Sequence, residues 1–331
     1  MTSALDDPLR VARRAVQAGE FRVAWDALAG QPSETKVSAE WLLLAAMARW
    51  RLGEFLPSRS AALQARDAYR ELGDLDGEMR AENVAAAGAF ALGDLGEAGR
   101  GFSRAHGLAE RLHDELMKAR CANNLGNVAY YLGGNDDALA YYRIAAVGFE
   151  RVGLLFGVAE TWINTGIVER DLERLEESRE SATRALEIAE RLGSARLRAQ
   201  ALAMSGEVAG LLGDVRLGRS LLDRALGIAR PEEDHLTEIE ALRLRTNVER
   251  KAGDYVEAAR HGEEALTAAE RLGHPWALAE TARDLGELFV ELGDRDRSAP
   301  LFDRAALSYE NLGATGRAER MRERAAAIRA G

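Results

Sequence analysis

Asn123, Asn124 and Asn127 crowd one short stretch of the chain, and Asn164 stands forty residues after Asn124. Asparagine is a weak helix former, so its clustering in helix-patterned segments calls for a reason. A side-chain amide donates and accepts at once, and so can pair with a peptide backbone whatever that peptide's sequence. Tyr130, Tyr131 and Phe90 lie close by in sequence and offer contact area at low entropic cost. Arg80, Arg120 and Arg170 carry planar forks suited to carboxylate or phosphate. The chemistry these types can do is non-covalent recognition of an extended or helical peptide, acidic in character. A second reading has the asparagines bonding neighbouring helices and the arginines standing in solvent.

Residues for bond-making chemistry do not assemble. His106, His113, His235, His261 and His274 are scattered, with no HExxH helix and no Cys/His set at zinc spacing. Gly133-Gly134 lacks the Gly-Lys-Ser/Thr that would complete a phosphate loop, and no GxSxG elbow occurs. Carboxylate pairs such as Glu176-Glu177 fall where exposed helix starts are expected. Cys121, the one cysteine, sits among packing positions and reads as a buried thiol. The expectation is a non-enzyme with no cofactor and no metal site.

The elements that must position the asparagines are written in glycine. Gly53, Gly93, Gly133, Gly213, Gly253 and Gly293 share one register with a period of forty. Gly73, Gly153, Gly193, Gly273 and Gly313 share a second, offset by twenty. Two stops per forty residues, with helical spacing of apolar residues between them, mean two helices per repeat. Glycine at the C′ position lets each helix end in the left-handed conformation. Asp94, Asp214, Asp254 and Asp294 follow register glycines and are placed to cap the next helix.

Three further columns run through the copies. Five residues after each turn stands a small residue: Ser58, Ala98, Ala138, Ser178, Gly218, Ala258 or Ser298. Twelve after it stands alanine every time, from Ala65 and Ala105 to Ala305; seven before it stand Ala46, Ala86, Gly126, Gly166, Gly206, Thr246 and Gly286. Small side chains at these heights let antiparallel helices approach closely and let hairpins stack. Some copies depart from the pattern. Glu173 replaces glycine in the first register, and His113 and Glu233 replace it in the second. Pro231-Glu232-Glu233-Asp234 reads as the most open connection, and Gln31-Pro32-Ser33 as the close of a shorter N-terminal hairpin.

Composition bounds the partners. The 331 residues are 47% hydrophobic, normal for a folded soluble chain, with a formal net charge of −10. That balance argues against direct binding of nucleic acid or an anionic membrane. The first twenty residues lack a signal-peptide core, and the longest apolar run, Trp41 to Ala48, is too short to span a bilayer. A cytoplasmic location is the expectation. Arginine outnumbers lysine 41 to 3, as a GC-rich bacterial coding bias would give.

Leu125-Gly126, the turn at Gly133, then Ala138, Tyr142 and Ala145, with Phe102 and Phe302 in the place of Tyr142, resemble the tetratricopeptide repeat. The forty-residue period resembles the subclass seen in kinesin light chains and bacterial signalling regulators. The resemblance implies an all-α, right-handed α-solenoid of about eight hairpins with a C-terminal capping helix. It forms a single solenoid over 1–331: a short hairpin at 5–37, seven repeats over 39–313 and a cap at 314–331, rich in Arg and Glu.

By the same resemblance the first helix of each hairpin lines a concave groove. The groove positions become Arg80, Asn83 and Phe90; then Arg120, Asn123, Asn127, Tyr130 and Tyr131; then Ile163, Ile167 and Arg170, with Asn164 beside them. Asn127 and Asn164 match the two asparagines of a related carboxylate clamp. Asn123, Gln200 and Met204 stand where its basic residues belong, so a clamp is not expected. Arg243, Asn247, Arg250, Lys251, Arg283, Glu207 and Glu287 of later copies read as a solvated face. Trp162 and Trp276 read as packing. The implied function is a protein-interaction scaffold binding a peptide or protein partner. The alternative is an effector-sensing module of a bacterial transcription or signalling regulator, holding a small molecule or signal peptide.

Overall fold

The computed structural model describes residues 7–30 and 38–330, and among these it has seventeen α-helices and no strand. In chain order they are α1 (Pro8–Ala18), α2 (Phe21–Ala29), α3 (Ala39–Arg51), α4 (Phe55–Leu72), α5 (Leu75–Ala91), α6 (Leu95–Leu112), α7 (Glu115–Leu132) and α8 (Asn135–Arg151). There follow α9 (Leu155–Asp171), α10 (Leu175–Leu192), α11 (Ala195–Leu211), α12 (Val215–Ala229), α13 (His235–Ala252), α14 (Tyr255–Leu272), α15 (Pro275–Glu291), α16 (Arg295–Asn311) and α17 (Thr315–Ala330). Odd and even helices pair into eight hairpins, and α17 closes the series. Gln31-Pro32-Ser33, expected to end the first hairpin, lies outside the described residues.

Most of the described connections are made the same way. At Gly93, with φ +84°, Asp94 N donates to Ala89 O at 2.9 Å, tying the turn back across the last helical turn. His113, Glu173 and Glu233 take the same left-handed conformation, at φ +56°, +60° and +54°, without glycine's freedom. The connection that holds Pro231–Asp234 is the longest of those described, five residues between α12 and α13 against two or three elsewhere, and it too closes with Asp234 N donating to Ala229 O at 3.0 Å. Asp94, Asp214 and Asp294 accept from backbone N–H groups three residues on, as the capping pattern predicts. Asp254 departs from it. Its carboxylate makes no cap bond and instead accepts from Arg219 Nη2 at 3.2 Å.

The small-residue columns are the packing seams. Ala65, Ala105, Ala145, Ala185, Ala225, Ala265 and Ala305 are all fully buried. Ser58 Oγ donates to Ala46 O at 2.7 Å and Ser178 Oγ to Gly166 O at 2.8 Å, each joining two of the small columns across a hairpin. At Gly206 an added Cβ would lie 2.7 Å from Leu222 Cγ and 3.0 Å from Gly218 O, so the helices there touch nearly backbone to backbone. Tyr142, Phe102 and Phe302 fill the large position and are buried.

The chain divides into two compact units, Met1–Val128 and Ala129–Gly331. In the first, Ala12, Ala24, Leu28, Trp41 and Leu44 form the core of the leading hairpins, and Met79, Ala105, Leu108 and Cys121 that of the later ones. In the second, Leu202, Leu222, Leu242 and Val248 centre the core. Within each unit odd helices also touch the next odd helix: α3 with α5, and α9, α11, α13 and α15 in succession. Odd helices therefore form the crowded inner layer of each unit and even helices the outer one.

Candidate ligand-binding faces

The inner layer of the first unit carries a repeated pair. Arg80 and Asn83 on α5 recur forty residues later as Arg120 and Asn123 on α7. Spacing of three puts each arginine and its asparagine on one helix face. Both arginines are exposed, and Asn83, Phe90, Asn123 and Asn127 are half-buried. Arg80 pairs with Asp76 one turn earlier at 3.0 Å, an exposed ion pair of little worth. Asn83 Oδ1 accepts from the buried Cys121 Sγ at 3.9 Å. Burial pushes the Cys121 thiol up to about 12, so it stays protonated and unreactive at neutral pH.

The inner layer of the second unit is different in kind. Asn164 is half-buried on α9. Tyr130, Tyr131 and Arg170 are engaged in a polar and aromatic network. Arg170 donates to Glu207 Oε2 and Asp171 Oδ1, each at 2.6 Å. Asn247 Nδ2 donates to Glu207 Oε1 at 2.9 Å and to Asp284 Oδ2 at 3.1 Å. Arg283 joins Asp284 at 2.7 Å to Glu280 at 2.9 Å. Arg317 of α17 stands 3.9 Å from Glu280 and donates to the Tyr130 carbonyl oxygen at 2.8 Å. The Tyr130 hydroxyl donates to Asp171 Oδ2 at 2.9 Å, which closes the circuit. Arg243 braces it from within, bonding Asp284 and, at 2.6 Å, Glu240.

Burial sets the electrostatics of this ring. Arg170, Glu207, Arg243, Glu280, Asp284 and Arg317 are each at most 9% exposed. Burial alone would raise Asp171, Glu240 and Asp284, but the neighbouring guanidinium groups prevail and hold all three below the usual carboxylate range. Asp284 is held well below it by Arg283 and Arg243. Four arginines (170, 243, 283, 317) face five carboxylates (171, 207, 240, 280, 284). The reading of Arg243, Asn247, Arg283 and Glu207 as a solvated face is thus corrected. They lie in the layer where successive odd helices touch: Arg243 meets Asp284 of the next copy, Glu207 meets Arg170 of the copy before, Asn247 bonds to both neighbours, and Arg283 pairs with Asp284 and Glu280 of its own helix.

An aromatic wall stands beside the ring. Tyr131 and Trp276 stack at 3.7 Å between centroids, 10° from parallel. Tyr130 lies 5.6 Å and Tyr309 5.7 Å from Trp276. The Arg317 Cζ is 5.1 Å from the centroids of both Tyr130 and Trp276. Trp276 does pack, as its sequence reading has it; its partners, some 145 residues away, are beyond what local pattern reveals. Arg317 was missed altogether, because α17 reads as a solvating cap. The available signal was opposite charge about one repeat apart on successive inner helices, such as Arg170 followed by Glu207 thirty-seven residues on and Arg243 by Asp284 forty-one on.

Among the described residues no group of three or more His, Cys, Asp or Glu is arranged to hold a metal ion, and no helix is long and apolar enough to cross a membrane. No protein-family model matches the sequence, and no curated protein matches it. Solved structures do. The chain is similar to the Rap conjugation gene regulator of plasmid pLS20 in complex with the Phr* peptide: 17% identity, 85% of this chain and 76% of that one, TM-score 0.68. It is similar to aspartyl phosphate phosphatase F from Bacillus subtilis: 12% identity, 99% and 94% of the two chains, TM-score 0.55. It is similar also to a tetratricopeptide repeat protein from Parabacteroides merdae: 14% identity, 84% and 98%, TM-score 0.54. The fold is therefore the all-α tetratricopeptide repeat array.

Proposed function

We propose that this chain is a non-catalytic scaffold whose inner layer binds a peptide or protein partner, acidic in character. The observation that carries this reading is the Arg80–Asn83 pair and its copy Arg120–Asn123, with Asn127 a turn further on. Exposed guanidinium groups supply the attraction to carboxylates, and half-buried amides supply sequence-independent pairing with a backbone. Phe90 adds apolar contact beside them. A preformed array of helices binds without first being ordered, which keeps the entropic cost low.

A regulatory role is supported by the likeness to a gene regulator whose structure is in complex with a peptide. In that reading the ligand is a signal peptide and the array an effector-sensing module. The likeness to a phosphatase motivates a turnover assay with an aspartyl-phosphate substrate, where no release of phosphate is expected.

The test is fluorescence polarisation against a library of short labelled peptides. Acidic peptides are expected to bind the wild type and to lose about tenfold or more with Arg120→Ala and with Asn127→Ala, the loss of a charge-assisted or buried hydrogen bond. Unchanged affinity in both variants would remove the patch from consideration.

A further inference from the structure

Arg317 is held like a ligand. Its guanidinium lies against both Tyr130 and Trp276, at 5.1 Å from each ring centroid, with the Glu280 carboxylate at 3.9 Å and the Tyr130 carbonyl oxygen at 2.8 Å. Aromatic faces and carboxylates around a cation make the arrangement by which proteins recognise guanidinium and ammonium groups. Here the cation comes from the protein's own last helix. Three observations mark it as a replaceable occupant.

The fit is incomplete: Arg317 Nε is buried and finds no partner among the described residues. A buried donor left unpaired weakens the occupant's hold. The helix that delivers it packs along α16 but buries few of its own side chains. Only Arg317, Ala318 and Ala325 of α17 are buried, and its outer contacts are exposed ion pairs such as Arg324–Glu287 and Arg322–Glu310, which are weak and screened by salt. The cavity left by its departure attracts cations. Without Arg317 the ring has three arginines against five carboxylates, and all five carboxylates stay in place on α9, α11, α13 and α15.

We propose that Tyr130, Trp276 and Glu280 form a guanidinium-binding site that Arg317 occupies in cis, and that an arginine-bearing peptide takes this site by displacing α17. The site belongs to the second unit and takes a cation. It extends the inner-layer reading of function and differs in the charge it takes from the asparagine patch of the first unit, which that reading assigns to acidic peptides.

The probe is a labelled Gly-Gly-Arg-Gly-Gly peptide, with Gly-Gly-Glu-Gly-Gly as control. Arg317→Ala, shown folded by circular dichroism, is expected to bind the arginine peptide at least tenfold more tightly than the wild type. Arg317→Lys keeps a cation in place and is expected to behave as the wild type. Adding Trp276→Ala to Arg317→Ala is expected to abolish the gain, and no variant is expected to gain affinity for the glutamate peptide. Equal affinity of wild type and Arg317→Ala for the arginine peptide would overturn the proposal. A second measurement uses the wild type alone. Saturating arginine peptide is expected to raise hydrogen exchange across residues 315–330, and unchanged protection there would equally overturn it. Arg120→Ala read with acidic peptides tests the asparagine patch, and Arg317→Ala read with the arginine peptide tests this site, so failure of one is distinguishable from failure of the other.

Discussion

Arg170 and Glu207 sit one repeat apart on neighbouring inner helices and meet at 2.6 Å with both side chains almost wholly out of water. Removing one partner of such a pair leaves an uncompensated buried charge. Arg170→Met is therefore expected to destabilise the second unit by about 3–5 kcal/mol. Arg170→Met with Glu207→Leu removes both charges and is expected to recover most of that loss. The two urea midpoints decide the matter, and equal destabilisation by single and double variants would show that the ion pair itself is not what holds α9 to α11.

The same ring predicts a pH dependence. Asp171, Glu240 and Asp284 have folded-state values lowered beneath their unfolded ones. Their contribution is fully present above the unfolded carboxylate range, about 4, and is lost as pH falls through the depressed folded values. Stability of the second unit is thus expected to hold from neutral pH down to about 5 and to decline steeply below 4. Urea titrations at stepped pH measure it. Glu169 runs the other way. Burial raises it, ahead of the opposing hydrogen bond from Ser181, so it favours the fold at low pH and weakens that contribution as pH climbs through its raised value.

Three turns carry the wrong residue for their backbone. His113, Glu173 and Glu233 adopt positive φ where the other copies have glycine. A left-handed non-glycine residue costs about 1–2 kcal/mol, partly offset by glycine's greater freedom when unfolded, about 0.5–1 kcal/mol. Glu173→Gly is expected to raise stability by up to about 1 kcal/mol, and Gly133→Ala to lower it by about 1–2 kcal/mol. Thermal unfolding of the pair reads both signs.

Two mid-helix glycines should respond in opposite directions to the same change. Gly206→Ala places a methyl 2.7 Å from Leu222 Cγ and 3.0 Å from a backbone oxygen, so it is expected to overpack by about 1–3 kcal/mol. Gly107 has nothing within 4 Å of an added Cβ, and Gly107→Ala is expected to stabilise by about 0.4–1 kcal/mol. If Gly206→Ala proved neutral, the close helix approach would not be the reason for that small column.

The repeat architecture was legible because it is local. A helix stop every twenty residues and a small side chain at a fixed height are demanded within each hairpin, so Gly53, Ala65 and Ser58 announce themselves in sequence. That Arg80, Asn83, Arg120 and Asn123 fall at matching heights on α5 and α7 was legible for the same reason, since the columns place them. The ring was not. Arg243 and Glu207 look the same in sequence whether an inner layer is open or crowded, and only the spacing of successive odd helices decides. Tyr131 with Trp276, and Arg317 with Tyr130, join segments whose separation no periodicity encodes. Asp254 shows the limit at short range: a capping carboxylate was diverted by Arg219, thirty-five residues earlier.

Among the described residues the helix-to-helix contacts lie mainly between helices adjacent in sequence or one repeat apart, yet the bond from Arg317 to Tyr130 spans 187 residues. During synthesis the hairpins of both units can settle one after another as they emerge, each on the one before. The circuit of charges cannot. Its carboxylates on α9 through α15 must wait, one positive group short, until α17 has been made, so the nascent chain passes through an interval in which α9 to α16 are built and the circuit is still open.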